Sequence, residues 1–205
     1  MTRRAGPRTD APPSARAAAL ILLAVLGLAA PALAQTFEER VVVCQACHGP
    51  TGQSVVPETP SIGGQPQFFV VTQLFLYKEG RRENEAMTAA TKGFTNDDLR
   101  LFSAWVSKLP PPAPPTEAVD AALYARGRTV AGRHPCRICH NPDFSGREQM
   151  PRLAHQREEY LLKVMREYQK GTRIGYAGAM ATELHGLSDD DLRALAHFFS
   201  RFEPE

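Results

Sequence analysis

The sequence predicts an all-α protein made of two small tandem helical domains. Three observations support this fold class. Apolar residues recur at helical spacing near the end of each half of the chain, and no stretch alternates apolar and polar residues clearly enough to be a strand. A proline-rich segment separates the halves. The halves also share their motifs at an offset of 91 to 93 residues, which indicates that one small fold occurs twice.

The first 34 residues have the form of an export signal. Four arginines precede an apolar run of 14 residues, 17–30, and the sequence Ala-Leu-Ala follows at 32–34. We expect cleavage there and a mature chain in a bacterial periplasm or a similar compartment. The alternative, an uncleaved membrane anchor, is disfavoured because a transmembrane helix needs about 20 apolar residues. The mature chain would carry 20 basic and 21 acidic residues, so its charge gives no case for nucleic acid as a partner.

The composition changes sharply after residue 109. Five of the six residues 110–115 are prolines, and such a segment lacks backbone donors and favours a stiff extended form. We therefore predict a signal peptide at 1–34, a first domain at 35–109, a linker at 110–117 and a second domain at 118–205. Domains this small bury little apolar surface and often need a cofactor, metal or disulfide to be stable.

Each domain is predicted to contain three helices joined by long loops. The first helix begins near Thr36, where Thr-Phe-Glu-Glu has the form of a capping box, and it runs up to the first cysteine pair. Its counterpart begins at Asp120. The second helix runs from Pro66, as its first helical residue, to about Glu79 and stops at a glycine. Its counterpart covers 157–170.

The third helix carries the clearest helical periodicity. It begins at Thr95 in the first domain and at Ser188 in the second, and an aspartate follows three residues later in each case. The predicted core-facing residues are Leu99, Phe102, Trp105, Val106 and Leu109, matched by Leu192, Leu195, Phe198, Phe199 and Phe202.

All four cysteines occur in two copies of Cys-x-x-Cys-His, at 44–48 and 136–140. A four-cysteine zinc site fits poorly because such pairs usually lie about 15 to 20 residues apart, whereas Cys47 and Cys136 are 89 positions apart. A redox-active dithiol would need a βαβ setting, which the sequence lacks, and would not require the histidine. Covalent attachment of haem c uses all three residues, because the two thiols bond the porphyrin vinyl groups and the histidine binds the iron. The motifs therefore predict two covalently bound haem c groups (iron), with His48 and His140 as proximal ligands.

The internal repeat also selects among the candidates for the sixth iron ligand. Outside the two motifs the histidines and candidate methionines are Met87, Met150, Met165, Met180, His134, His155, His185 and His197. Only Met87 and Met180 align with each other, and they follow their proximal histidines by 39 and 40 residues. The alternative is that both are core residues. Histidine and methionine together leave the iron no open position, which favours electron transfer over catalysis.

The chain resembles the cytochrome c4 family of diheme cytochromes c. The resemblance covers residues 35–202. It rests on the signal peptide, the two haem motifs, a P-x-[IL]-[GA]-x-Q element at 60–65 and 151–156, the helix ends YKEGRR and YQKGTR, and a methionine before L-x-x-x-D-L-x-x-L. It implies two tandem class I cytochrome c domains, each wrapped around one covalently bound haem.

The resemblance also implies roles for individual residues. The thioether sites would be Cys44, Cys47, Cys136 and Cys139, and the iron ligands would be His48 with Met87 and His140 with Met180. Two departures concern haem packing: the second motif is followed by Asn-Pro where the first has Gly-Pro, and the helix before Cys44 is short.

The predicted function is that of a periplasmic electron carrier, not an enzyme. The resemblance implies haems near the domain interface, and transfer of single electrons from a respiratory donor complex to a terminal oxidase or other acceptor, with transient docking to membrane complexes. One alternative is the cytochrome c subunit of a multi-chain dehydrogenase. Another is a diheme peroxidase, which the paired methionines disfavour because such an enzyme needs an iron without a strong sixth ligand.

A basic segment surrounds the second haem motif. Residues 124–157 contain seven arginines and two acids, whereas the corresponding stretch 35–66 has one arginine and three glutamates. This asymmetry predicts a positive field near the second motif that steers an acidic protein partner towards it. The alternative is that some of these arginines pair with haem propionates and the rest form an ordinary solvated face.

Overall fold

The protein is built from helices and long loops. The computed structural model describes Gly6 and residues 36–173 and 178–204, so the predicted export signal lies outside the described residues except for Gly6. Within these ranges the chain forms nine helices and no strand, with one isolated antiparallel bridge between Arg147 and Met150. The all-α prediction is confirmed. None of the helices described is long and apolar enough to cross a membrane.

The first half of the chain, residues 37–109, contains four helices. They are α1 (Phe37–His48), α2 (Gln67–Lys78), α3 (Glu85–Thr91) and α4 (Asn96–Lys108). Helix α1 passes through the cysteine motif instead of stopping before it. Pro66 is the N-cap of α2 and not its first helical residue, because its ψ of 132° is extended. The helix ends at Lys78, and Gly80 follows with a φ of 62°.

The second half, residues 118–204, contains five helices. They are α5 (Ala121–Arg133), α6 (Cys136–His140), α7 (Glu158–Gln169), α8 (Gly178–Leu184) and α9 (Asp189–Ser200). Pro135 separates α5 from α6, since the residue before a proline is disfavoured in helical conformation and His134 is extended. The short helices α3, α6 and α8 were not predicted, because five to seven residues are too few to show a helical period.

Capping boxes begin both final helices, as predicted. The hydroxyl of Thr95 accepts from the Asp98 amide at 3.1 Å, and the Asp98 carboxylate accepts from the Thr95 amide at 2.8 Å. Ser188 and Asp191 repeat this arrangement. Arg40 of α1 also donates to Asp98, and this hydrogen bond is the main reason why the pKa of Asp98 falls to about 2. The bond therefore ties the first helix of this half to the last.

Aromatic residues fill the core of the second half. Phe144 is fully buried and meets Phe198, Phe199 and Phe202 edge to face, with ring centroids 4.8 to 5.9 Å apart. All five core residues predicted on α9 and its C-terminal end are buried. In the first half Leu99, Phe102 and Val106 are buried, while Trp105 and Leu109 are half-buried.

Two glutamines join the halves, and they occupy equivalent places in the repeat. The side-chain amide of Gln156 bonds both backbone groups of Ser61, with its nitrogen 2.7 Å from the carbonyl and its oxygen 2.8 Å from the amide nitrogen. The amide of Gln65 bonds both backbone groups of Arg152, at 3.1 and 2.9 Å. An offset of 91 residues relates the two arrangements, so the interface has approximate two-fold symmetry.

The proline-rich linker packs closely against both halves. A Cβ at Gly63 would lie 2.2 Å from the Pro110 carbonyl oxygen, so this approach requires glycine. The Gln53 side chain accepts from the Ala113 amide at 3.1 Å, and the His155 ring lies 3.1 Å from the Pro112 carbonyl oxygen. Residues 37–204 form one compact unit.

We predict that Gly127→Ala destabilises the second half. A Cβ at this position of α5 would lie 2.1 Å from the carbonyl oxygen of Ala194 in α9, so the two helices would have to separate. We expect a loss of about 1 to 3 kcal/mol, typical of overpacking, measured by chemical denaturation of the holoprotein.

The control is Gly132→Ala in the same helix, where an added Cβ meets nothing within 4 Å. This change should leave stability unchanged or raise it by about 0.5 to 1 kcal/mol, the ordinary gain for alanine in a helix. Equal destabilisation by both substitutions would contradict the close crossing of α5 and α9.

Candidate haem-binding sites

The first cysteine motif forms the C-terminal turns of α1. Cys44 is half-buried, Cys47 is exposed and His48 is buried. The Nδ1 atom of His48 lies 2.8 Å from the carbonyl oxygen of Pro60. Because a carbonyl only accepts hydrogen bonds, Nδ1 carries the proton and donates it, and Nε2 is left with its lone pair.

The second motif repeats this geometry on α6. His140 is 3% exposed, and its Nδ1 lies 2.8 Å from the carbonyl oxygen of Pro151. Its Nε2 is one of three buried side-chain polar atoms without a hydrogen-bond partner among the described residues. A buried nitrogen lone pair without a partner is costly in a folded protein, and a metal ion bound there would satisfy it.

Burial sets the protonation of these motifs. It lowers the pKa of both His48 and His140, and the bonds to the proline carbonyls offset this only in part. Both rings are therefore neutral at pH 7, which is the form that binds a metal. Burial also raises the pKa of Cys44 and raises that of Cys136 to about 11. These are not the acidic thiols of a dithiol oxidoreductase.

The described residues also give no support to a zinc site. They contain no group of three or more His, Cys, Asp and Glu side chains that could hold a metal ion. All four cysteines are free thiols, two near each histidine. Each motif thus presents two thiols and a buried neutral imidazole, which is the donor set that covalent haem c needs. The residues therefore fit the cofactor that the sequence predicts.

Met87 and Met180, the predicted distal ligands, lie on the short helices α3 and α8. The backbone N–H of Met87 donates to the Asn84 side chain at 2.9 Å, and the carbonyl oxygen of Met87 accepts from the Thr91 hydroxyl at 2.8 Å. Both backbone polar groups of Met87 are therefore hydrogen-bonded. Met180 packs against the core of the second half. Both side chains are half-buried. Their bonds to iron stay a prediction.

Several of the other ligand candidates have structural roles. His155 has its Nδ1 3.1 Å from the Pro112 carbonyl oxygen and its Nε2 2.7 Å from that of Phe202. His197 accepts from the Asp120 amide through Nε2, and its Nδ1 lies 3.2 Å from a Glu158 carboxylate oxygen.

Met165 is 6% exposed and belongs to the hydrophobic core of the second half. Together with the two histidines, it shows that side chains of ligand type in this chain also serve ordinary packing and bonding.

The residues that hold the two histidines in place were not predicted from the sequence. The carbonyl groups of Pro60 and Pro151 orient the imidazoles, and Gln156 and Gln65 bond the residues that follow them. The sequence does mark these residues, because the prolines begin and the glutamines end the repeated P-x-[IL]-[GA]-x-Q element. Its spacing does not reveal that each glutamine reaches into the other half.

Comparison with known proteins gives close relatives, although no family model matches. The chain is 32% identical to cytochrome c4 of Thiocapsa roseopersicina over 164 residues, covering 76% of this chain and 85% of the relative. It is 30% identical to a "thiosulfate dehydrogenase electron acceptor" of Thiomonas intermedia, covering 92% of this chain and 91% of the relative.

A solved structure is similar as well. Reduced recombinant cytochrome c4 from Pseudomonas stutzeri matches with a TM-score of 0.74 and 26% sequence identity, over 83% of this chain and 100% of that chain. The similarity extends over both halves of the chain and agrees with the two haem motifs. The chain therefore belongs to the cytochrome c4 family, which consists of electron-carrying diheme cytochromes with two all-α class I domains and two covalently bound haem c groups.

Proposed function

We propose that this protein is a periplasmic carrier that passes single electrons between a respiratory donor complex and a terminal acceptor such as an oxidase. The observation that carries this proposal is the buried, unpartnered Nε2 of His140 beside a Cys-x-x-Cys pair, in a half that repeats the first. The export signal predicted at 1–34 supports the periplasm as the compartment. The proposed domains remain 35–109 and 118–205, joined by the linker 110–117.

Each half would hold its haem through its own residues. The attachment sites are Cys44 and Cys47 in the first half, and Cys136 and Cys139 in the second. The iron ligands are His48 with Met87, and His140 with Met180. When bound, haem supplies a one-electron ferric–ferrous couple. The protein orients the imidazoles through the proline carbonyls and excludes water from them by burial.

One specific observation favours a second candidate function. A relative that matches over 92% of this chain is named an electron acceptor of thiosulfate dehydrogenase. This chain would then take electrons from a dehydrogenase, either as a free acceptor or as a bound subunit. Purification from the native host separates the two cases, because a subunit elutes together with its dehydrogenase at high salt and a free carrier elutes alone.

The basic segment around the second motif is the proposed docking face. Two of its seven arginines are neutralised, Arg126 by Asp191 and Arg157 by Glu159. Arg137 and Arg147 donate to the backbone carbonyls of Pro142 and Ile138, which leaves their charges uncompensated.

The remaining features of this face suit protein contact. Arg133 is exposed, and Ile138, between the two cysteines of the motif, is 70% exposed. An exposed apolar residue with arginines around it is typical of a surface that meets an acidic protein.

We expect the purified protein to carry two covalently attached haems and to accept two electrons per chain. Extraction of the purified protein with acidified acetone should leave all colour with the polypeptide, because the haems are covalently attached. The intact mass should show two haems per chain, and a reductive titration should consume two electrons per chain. One haem or none, or colour that passes into the acetone, would contradict the proposal.

Both methionines should be required for the distal bonds. The ferric protein should show a far-red absorption band that is characteristic of sulfur ligation to iron. We expect Met87→Ala and Met180→Ala each to remove about half of this band, and the double variant to remove all of it. Met165→Ala and His155→Ala are the matched controls and should leave the band intact. Loss of the band in either control would show that the alignment of the repeats selects the wrong residue.

The docking face should control the rate of electron transfer to an acidic partner. Replacing Arg133, Arg137 and Arg147 together by Gln should slow the second-order reaction at low salt and flatten its dependence on ionic strength, since exposed charges are screened beyond about 8 to 10 Å at physiological salt. Stopped-flow reduction of an acidic redox protein measures both effects. A control that replaces Arg81, Arg100 and Arg193, exposed arginines outside the segment, should have little effect. An unchanged rate and salt slope in the first variant would remove this face from the proposal.

A further inference from the structure

The peptide group between Pro60 and Ser61 contacts both halves of the protein. Its carbonyl oxygen accepts the Nδ1 proton of His48 at 2.8 Å. Its N–H donates to the side-chain oxygen of Gln156, also at 2.8 Å. A single peptide group therefore stands between the proximal histidine of the first half and a glutamine of the second.

The repeat produces the same arrangement in the opposite direction. The peptide group between Pro151 and Arg152 accepts the Nδ1 proton of His140 at 2.8 Å, and its N–H donates to the oxygen of Gln65 at 2.9 Å. Each proximal histidine is thus connected through one peptide group to a glutamine of the other half.

The orientation of both glutamine amides is fixed. The amide nitrogen of Gln156 donates to the carbonyl oxygen of Ser61 at 2.7 Å, while its amide oxygen accepts from the N–H of Ser61. Gln65 bonds both backbone groups of Arg152 in the same way, with its nitrogen 3.1 Å from the carbonyl oxygen. A backbone N–H only donates and a carbonyl only accepts, so the reversed amide would satisfy neither. Gln65 is 5% exposed and Gln156 is 3% exposed, so water does not compete for these bonds.

Hydrogen bonds in series strengthen one another. When the N–H of a peptide group donates, its carbonyl oxygen becomes more negative and accepts more strongly, by roughly 10 to 30% per bond in condensed-phase estimates. A stronger acceptor at Nδ1–H makes the imidazole a more basic ligand. A more basic ligand stabilises ferric over ferrous iron and lowers the reduction potential, since hydrogen bonding to an axial ligand is one way in which proteins adjust a haem.

We propose that Gln156 lowers the reduction potential of the haem held by His48, and that Gln65 lowers that of the haem held by His140, each from the opposite domain. The inference rests on the proposed function, because it takes His48 and His140 as the iron ligands. It makes the contact between the domains a determinant of both potentials.

The test is a crossed pair of substitutions. Gln156→Met keeps a side chain of similar size but removes the acceptor of the Ser61 N–H. We expect the ratio of ferrous to ferric iron at the first haem to rise about threefold at a fixed potential, which is roughly 30 mV at 59 mV per tenfold for one electron. Gln65→Met should have the same effect on the second haem. Redox titration followed by NMR resolves the two haems, because the signals of each are assigned by contacts with its own domain.

The control removes a bond between the halves that lies outside the two connections. Lys163 pairs with Glu58 of the first half at 2.8 Å on the exposed surface. Lys163→Met should change neither potential. The Nδ1 proton of His48 in the ferrous protein gives a second readout that does not depend on the potential. Its NMR signal should move upfield in Gln156→Met, as expected for a weaker hydrogen bond, and should not move in Lys163→Met.

If Gln156→Met does not assemble, Gln156→Asn tests the same connection. The shorter side chain keeps the amide but withdraws its oxygen from the Ser61 N–H. The first-haem potential should then rise and the His48 Nδ1 proton should move upfield.

Several outcomes would overturn the inference. They are equal shifts at both haems in either crossed variant, a shift only at the haem of the mutated domain, and no shift together with an unmoved Nδ1 proton. Failure of the proposed function is distinguishable, because the wild-type protein itself would then lack two low-spin haems with histidine ligands.

Discussion

The hydrogen bond from a buried histidine to a proline carbonyl is the interaction on which the rest of this structure depends. It occurs twice, at 2.8 Å in each half. The bond places the proton on Nδ1, and burial keeps the ring neutral, so Nε2 is available for a metal. The proline has no N–H and supplies only an acceptor. Its carbonyl accepts from the histidine, and the N–H of the next residue donates to the glutamine of the other half.

The loops that orient the two histidines also form part of the contact between the domains. Because Pro60 and Ser61 share a peptide group, the loop that orients His48 is also the loop that Gln156 binds. A protein that needed only two tethered haem domains could have left these loops apart and relied on its linker. Here the linker is itself packed, with Gly63 against Pro110 and His155 against Pro112. The halves are therefore joined through both the repeated loops and the linker, which suits a carrier with two haem sites.

The two halves share a fold but differ in surface. Around the first motif the exposed side chains include three valines, since Val42, Val43 and Val55 are 59 to 83% exposed. Around the second they include arginines whose charges are not neutralised by acids. A partner that binds through charge would prefer the second motif, and one that binds through apolar contact would prefer the first. This difference in surface distinguishes the two halves for a partner although they share one fold.

The all-α class could be predicted from the sequence alone. So could the helices with capping boxes at Thr95 and Ser188, and the association of each cysteine pair with a histidine. These features are local, since periodicity, caps and Cys-x-x-Cys-His depend on residues a few positions apart. Phe144 shows the limit of such evidence: it is a bulky residue with a φ of 55° in a loop, yet it lies at the centre of a core. The bonds of Gln65 and Gln156 likewise join residues 87 and 95 positions apart. These contacts become visible in the three-dimensional structure alone, because no local pattern specifies which buried polar groups meet when two domains dock.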